Sequence, residues 1–163
     1  IEPRKKIEVL LESFGKLCSS EDENFNLVIV GKLGWKYHDI INKINNHRYR
    51  KLIICTGYVS NEYLNQLYTH SICLIYPSEY EGFGLPVIEA YKCNTLSIVA
   101  DNSSLLEIGK LCGSIFFKTN DSESLMIKMK IMLSYTDYLL NSENYFSWDN
   151  HTDKLLEYIC KLN

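Results

Sequence analysis

Five short runs in this chain carry almost no polar residue, and nearly all of them stop at a turn former. They are Leu27-Val28-Ile29-Val30 before Gly31, Leu52 to Cys55 before Thr56-Gly57, Ile72 to Tyr76 before Pro77, Leu96 to Ala100 before Asp101-Asn102, and Ser114 to Phe117. A strand that does not alternate has no face to offer water, so it is covered on both sides. Between these runs the apolar residues change to helical spacing. Ile7, Leu10, Leu11, Phe14 and Leu17 share one face of a helix opened by Pro3. Tyr37, Ile40, Ile41 and Ile44 form a stripe on a helix expected from Trp35 to Ile44. Ser60 is placed to cap a helix carrying Tyr63, Leu64 and Leu67. Further helices are expected from Pro86 to about Cys93, from Leu105 to Lys110, and from an Asp121 cap through Leu133. Thr136 to Asp149 is the least regular tract, and a last helix runs from Trp148 to Leu162. Covered strands alternating with helices predict an α/β fold: a Rossmann-like parallel sheet flanked by helices on both faces.

A length of 163 residues is one domain with room for a real core. The net charge of −3 argues against a general nucleic-acid binder, which carries a basic excess. No apolar run is long enough to span a bilayer, and no signal peptide is visible. The six cysteines are far apart and form no C-x-x-C, so neither a zinc site nor a redox pair is indicated. His38, His47, His70 and His151 have no metal-binding spacing, and no metal is expected. Free thiols in apolar runs suit a reducing, cytoplasmic setting. The chain starts at Ile1 rather than Met, which leads us to expect a piece of a longer protein.

Open parallel sheets bind ligands beyond the carboxyl ends of their strands. Three loops fall there: Gly31-Lys32-Leu33-Gly34, Gly57-Tyr58-Val59, and Glu81-Gly82-Phe83-Gly84-Leu85-Pro86-Val87-Ile88-Glu89. The first is not G-x-G-x-x-G, so the dinucleotide fingerprint is absent. The third passes from strand through glycine loop to helix start. In that order, backbone N–H groups and the positive end of a helix point at an anion. A carboxylate inside such a cradle repels phosphate and suits hydroxyl groups instead, so Glu81 is either a solvated loop residue or a ligand to a polar substrate. Phosphate and hydroxyls side by side describe a sugar nucleotide. Glu89, about one turn into the helix, is either an acid favoured by the helix dipole or a ribose ligand. Arg4-Lys5-Lys6 in a first helical turn oppose the dipole; they are either a solvated charge run or ligands to a diphosphate. Ser103-Ser104 reads as a helix cap, and Trp35 and Trp148 as core aromatics.

Nearly the whole chain resembles the C-terminal, donor-binding domain of a GT-B retaining glycosyltransferase of family 4. The residues that carry the resemblance are collinear. They are Ile1-Glu2-Pro3-Arg4-Lys5-Lys6; Leu27 through Gly31-Lys32-Leu33-Gly34-Trp35; Thr56-Gly57-Tyr58-Val59-Ser60; and the E-x7-E block from Glu81 to Glu89 with its G-F-G-L-P core. Asp101-Asn102-Ser103-Ser104-Leu105-Leu106-Glu107 and Phe146-Ser147-Trp148 follow in the same order. Cys93-Asn94-Thr95-Leu96 departs from the family's C-G-T-P, with Asn94 able to take the left-handed conformation in place of glycine.

The resemblance implies one half of a GT-B fold and a role for each matching residue. Lys5, with Arg4, neutralises the donor pyrophosphate. Glu81 and the backbone of Gly82, Phe83 and Gly84 hold the transferred sugar, Glu81 and Lys5 being the catalytic pair. The N–H groups of Leu85 and Val87 meet phosphate, Glu89 binds the ribose, and Tyr58 and Val59 frame the base. It further implies a hexosyltransferase that needs no metal or other cofactor. The partners expected are a nucleotide sugar, GDP-mannose favoured, and a saccharide or lipid-linked acceptor held by an absent N-terminal domain. A cytoplasmic, membrane-peripheral protein is expected, with one more central strand before Ile1. The fragment alone is expected to bind donor without turning it over. A nucleotide-sugar-binding regulatory module and a GT-B epimerase stay open as alternatives.

Overall fold

The structure, a computed structural model, describes residues 1–20 and 25–141. The expected tail helix, with Trp148, His151, Cys160 and the Phe146-Ser147-Trp148 segment, lies outside the described residues. Helices and strands alternate in chain order: α1 (Ile7–Cys18), β1 (Leu27–Val30), α2 (His38–Asn45), β2 (Ile53–Gly57), α3 (Asn61–Thr69), β3 (Leu74–Tyr76), α4 (Leu85–Lys92), β4 (Ser97–Ala100), α5 (Ser103–Leu111), β5 (Ile115–Phe117) and α6 (Ser122–Asn141). Every strand pairing is parallel. This is the expected α/β, Rossmann-like class.

One continuous sheet was expected, and the structure corrects this to two. β1 pairs with β2, with Leu27 opposite Ile53, while β3, β4 and β5 pair in that order, with Leu74 opposite Ser97 and Ile98 opposite Ile115. Among the described residues no strand bridges β1 to β3. The expectation that every apolar strand is covered on both faces is corrected too, since Val28 and Val30 on β1 and Ile54 on β2 are exposed; nor do apolar runs dictate which edges meet. That depends on the crossovers, and α3, which joins β2 to β3, packs on α4.

β4 is buried at all four positions, as an unbroken Ser-Ile-Val-Ala run between two strands requires. The expected face of α1 (Ile7, Leu10, Leu11, Phe14, Leu17) is buried throughout. It packs on α6, which buries Leu125, Met129, Met132 and Tyr135. The Asp121 carboxylate accepts from the Ser124 N–H at 2.9 Å and caps α6, which runs past the expected Leu133 to Asn141. Ser60 Oγ accepts from the Tyr63 N–H at 3.3 Å and caps α3 as expected. Asn94 is left-handed, with φ 61°, so it does replace glycine after α4.

Four further expectations are corrected. Pro3 opens only a 3-10 turn, Pro3–Lys5, and Lys6 (φ 49°) interrupts the chain before α1 starts at Ile7. Arg4, Lys5 and Lys6 therefore do not sit in the first turn of α1 against its dipole. The helix expected at Trp35 starts at His38, because Lys36 is left-handed (φ 51°). Trp35 is exposed rather than in the core, and its indole N–H donates to Glu2 at 2.8 Å. In α3 the buried residue is Tyr68, while Tyr63 is exposed.

Candidate active site

The Glu81–Glu89 segment leaves the carboxyl end of β3 and becomes the first turns of α4. Gly84 is the residue before the helix, with φ +89°, a conformation that side chains resist. A Cβ there would also lie 3.0 Å from the Leu105 side chain. Pro86 takes the second helical position, where its missing N–H removes no intrahelical bond. Gly82 is different: a Cβ would meet nothing within 4 Å, so the fold leaves open space there.

The Pro3–Lys5 turn comes alongside this loop. The Glu79 N–H donates to the Arg4 carbonyl at 2.9 Å, and Lys6 pairs with Glu79 at 2.8 Å. These contacts carry two cations onto one carboxylate. Lys5 Nζ lies 2.6 Å from Glu81 Oε1, and Arg4 Nη1 lies 3.1 Å from Glu81 Oε2. Lys5 Nζ also donates to the Tyr76 hydroxyl at 2.7 Å. Arg4 is braced by Glu2 at 2.8 Å. Glu81 is thus no solvated loop residue. It is nearly buried, at 8% exposure, and both its oxygens are held by cations.

The electrostatics follow from this packing. Burial pushes the Glu81 carboxyl up, but Lys5 first, then the Ser78 hydroxyl and Tyr76, outweigh it and leave the group below its usual value. Ser78 Oγ is buried outside full hydrogen-bond geometry, yet its dipole acts in the same direction. Burial likewise lowers the Lys5 ammonium, and the bonds to Glu81 and Tyr76 more than offset it. The Tyr76 phenol is raised by burial, against the pull of Lys5. All three groups keep their ordinary charge at neutral pH.

A cleft of about 370 Å³ opens here. Lys5, Glu81, Phe83, Gly84, Leu85 and Glu89 line it, and all six were expected at the site. Gly82 stands beside it in the same loop. Tyr58 and Val59 do not line this cleft; Tyr58 is exposed, with Lys32 Nζ 4.6 Å from its ring centroid. Val87 is fully buried, and its N–H donates to the Gly84 carbonyl at 3.0 Å. The first turn of α4 thus closes on the N–H that was expected to meet phosphate. Leu85, first in the helix, has no intrahelical acceptor for its N–H.

Four residues of the site were given no part in it from the sequence. Tyr76 bonds Lys5, and the Tyr68 hydroxyl donates to Glu89 Oε2 at 3.2 Å. The Ser104 hydroxyl donates to the Glu81 carbonyl at 2.8 Å instead of capping α5. The Asn102 side-chain amide donates to the Ser78 carbonyl at 3.0 Å, tying the loop to the head of α5. Tyr76 could have been found, as a polar group at the end of an apolar run facing the rim. Tyr68 was hidden within a helical stripe. Among the described residues no three His, Cys, Asp or Glu side chains come together as a metal-binding group, and no helix is long and apolar enough to cross a membrane.

The chain is similar to several known proteins. It is 38% identical over 111 residues to the serotype-specific mannosyltransferase WbdA of Escherichia coli, a match covering 68% of this chain and 14% of that protein. It is 28% identical over 163 residues to O-antigen chain mannosyltransferase B of Escherichia coli, covering 96% of this chain and 42% of that one. The chain thus spans less than half the length of either relative. The crystal structure of Anabaena Alr3699/HepE in complex with UDP-glucose superimposes with a TM-score of 0.71 at 16% identity, covering 84% of this chain and 38% of that one. The fold is accordingly that of a GT-B glycosyltransferase domain. The profile of the family described as Glycosyl transferases group 1 matches residues 1–145, and the chain belongs to that family.

Proposed function

We propose that this chain is the C-terminal, donor-binding domain of a family 4 retaining glycosyltransferase. It moves a hexose from a nucleoside-diphosphate sugar to a saccharide or lipid-linked acceptor, and that acceptor is held by a separate N-terminal domain. The observation that carries the reading is the convergence of Lys5, Arg4 and Glu81 at the N-terminus of α4. Two cations and a helix start supply positive potential for a diphosphate, and a buried carboxylate beside them is a receptor for hydroxyls. WbdA and mannosyltransferase B, both mannosyltransferases by name, favour mannose and hence GDP-mannose. HepE, seen with UDP-glucose, supports nucleotide-sugar binding in this fold.

In the proposed reaction the bond from the sugar's anomeric carbon to the phosphate oxygen breaks. A bond from that carbon to the acceptor oxygen forms on the same face. The acceptor's proton passes to the departing phosphate. Lys5 and Arg4 hold the charge that develops on the diphosphate, which is where electrostatic stabilisation acts most. Glu81 steers the sugar, Glu89 takes the ribose, and no metal is required. The domain alone binds donor and does not turn it over.

Calorimetry with GDP, UDP and ADP, each with EDTA present, tests this. Heat with at least one of them is expected. Silence with all three in a folded sample overturns the donor-site assignment.

A further inference from the structure

We infer that Tyr68 is the positioning residue that makes Glu89 a receptor for the ribose hydroxyls, and so sets a preference for ribonucleotide over deoxyribonucleotide. The inference rests on the proposed assignment of Glu89 to the ribose. Glu89 is an exposed side chain with several rotatable bonds. Such a carboxylate, left to itself in water, samples many rotamers and binds a pair of hydroxyls poorly, because ordering it opposes the bond gained. Tyr68 removes that freedom. Its hydroxyl donates to Glu89 Oε2, and no other described residue bonds the Glu89 carboxylate.

Tyr68 is itself fixed at both ends. Its ring is buried between α3 and α4. Its carbonyl accepts from the Thr95 hydroxyl at 2.7 Å and from the Ser71 hydroxyl at 2.8 Å. Thr95 is buried two residues before β4, the strand buried at every position. The rigidity of β4 thus reaches Glu89 through one buried ring. With Oε2 occupied by the phenol, Oε1 and the spare lone pairs are left for the sugar. Burial, and after it the Glu89 charge, push the Tyr68 phenol well above its ordinary value, so it stays a donor across the working range.

The test compares GDP with 2′-deoxy-GDP by calorimetry, in the protein as it stands and in Tyr68→Phe and Glu89→Ala. An unmade hydrogen bond at the 2′ position corresponds to a preference of about fivefold or more for the ribonucleotide. Tyr68→Phe keeps the ring and is expected to cut that preference to roughly a third, with deoxy affinity changed less than about twofold. A merely structural role would weaken both ligands in parallel, and that result overturns the inference. So does an unchanged preference in Tyr68→Phe while Glu89→Ala abolishes it. If Glu89→Ala itself keeps the preference, the ribose assignment fails and this inference falls with it. Should Tyr68→Phe not fold, Tyr68→Met fills the same space without the hydroxyl and gives the same ratio.

Discussion

The two sheets of this domain are built from similar apolar runs and end up in different states. β4 is covered on both faces, and at the end of the neighbouring β3 Lys5 bonds Tyr76 and Glu81 in a cleft that Glu89 also lines. β1 alternates instead: Leu27 and Ile29 are buried, whereas Val28 and Val30 are exposed, as is Ile54 on β2. The loop after β2 carries Tyr58, exposed and outside the cleft. The half expected to hold phosphate and sugar is therefore pre-formed, while the half expected to hold the base is open. The difference follows from the partners available to each strand. β4 has a strand on each side and helices over it, while β1 has one strand partner among the described residues. Preorganised electrostatics need a fixed frame, and only the first half has one.

The largest expected effect is at Lys5, the cation on which the organised half depends. Lys5→Ala removes a charge-assisted bond worth roughly 1.5–3 kcal/mol to a phosphate, on the order of ten- to a hundredfold in affinity. The sequence alone suggests little effect on folding, as for any exposed lysine near a chain end. The structure changes that expectation. Lys5 is partly buried against a nearly buried carboxylate, so its loss takes from Glu81 the nearer of the two cations that hold it, Arg4 being the other among the described residues. A lower melting temperature should accompany the lost affinity. Calorimetry and a thermal melt on the same sample check both, and unchanged affinity would return the three cations to a solvated charge run.

A matched pair of core substitutions tests the contrast directly. Val99→Ala in β4 removes two buried methyl-sized groups at a position with no exposure. It is expected to destabilise by about 2 kcal/mol, from lost burial and the cavity left. Val28→Ala in β1 starts at 39% exposure and should lose less than about 1 kcal/mol. Equal losses in urea titrations would mean that the exposed face of β1 is covered in the protein in solution.

The pH dependence of stability should carry the mark of the Lys5–Glu81 pair. The Glu81 carboxyl is held below its ordinary 4.5, so its contribution is complete above that value and is lost as pH falls through the lowered one. The Lys5 ammonium is held above its ordinary 10.5, so its contribution is complete below that value and is lost as pH rises through the raised one. Glu81→Gln should flatten the acid limb and Lys5→Met the alkaline limb. Limbs unchanged by both variants would show that the pair is not formed in solution.

How much of this was legible beforehand depends on range. Local signals held: the Ser60 and Asp121 caps, the left-handed Asn94, the glycine loop with Pro86, and the all-buried β4. What failed was set by contacts distant in sequence. Trp35 is apolar enough for a core, but it is drawn to Glu2. Pro3 starts a turn that Lys6 ends, because the chain bends to bring Lys5 to Glu81, 76 residues away. Neither the break between the sheets nor Tyr68 behind Glu89 leaves a period or a motif in the sequence, whereas Tyr76 behind Lys5 stands at the end of an apolar run. The E-x7-E segment was visible because one short loop must satisfy a helix start, a positive φ and a nearly buried, ion-paired carboxylate together.

The smallest effect is expected where the charge is most crowded. Glu81 pairs with the two cations assigned to the diphosphate. A bare nucleoside diphosphate has to share Lys5 and Arg4 with that carboxylate, and like charges at this range repel. Glu81→Ala should therefore leave the affinity for the bare diphosphate intact or raise it by a factor of about three, since lost repulsion and lost order in Lys5 oppose each other. The sugar conjugate should behave differently. Its hydroxyls lose their acceptor, at about 1–3 kcal/mol, so the variant should discriminate against the conjugate relative to the bare diphosphate. The measurement is a pair of titrations, GDP and GDP-mannose, in the protein and in Glu81→Ala. Abolished binding of bare GDP would show that Glu81 serves chiefly to hold Lys5 in place. Equal weakening of both ligands would mean that the carboxylate does not touch the sugar, and the division of the cleft into a cationic half and a hydroxyl-binding half would be wrong.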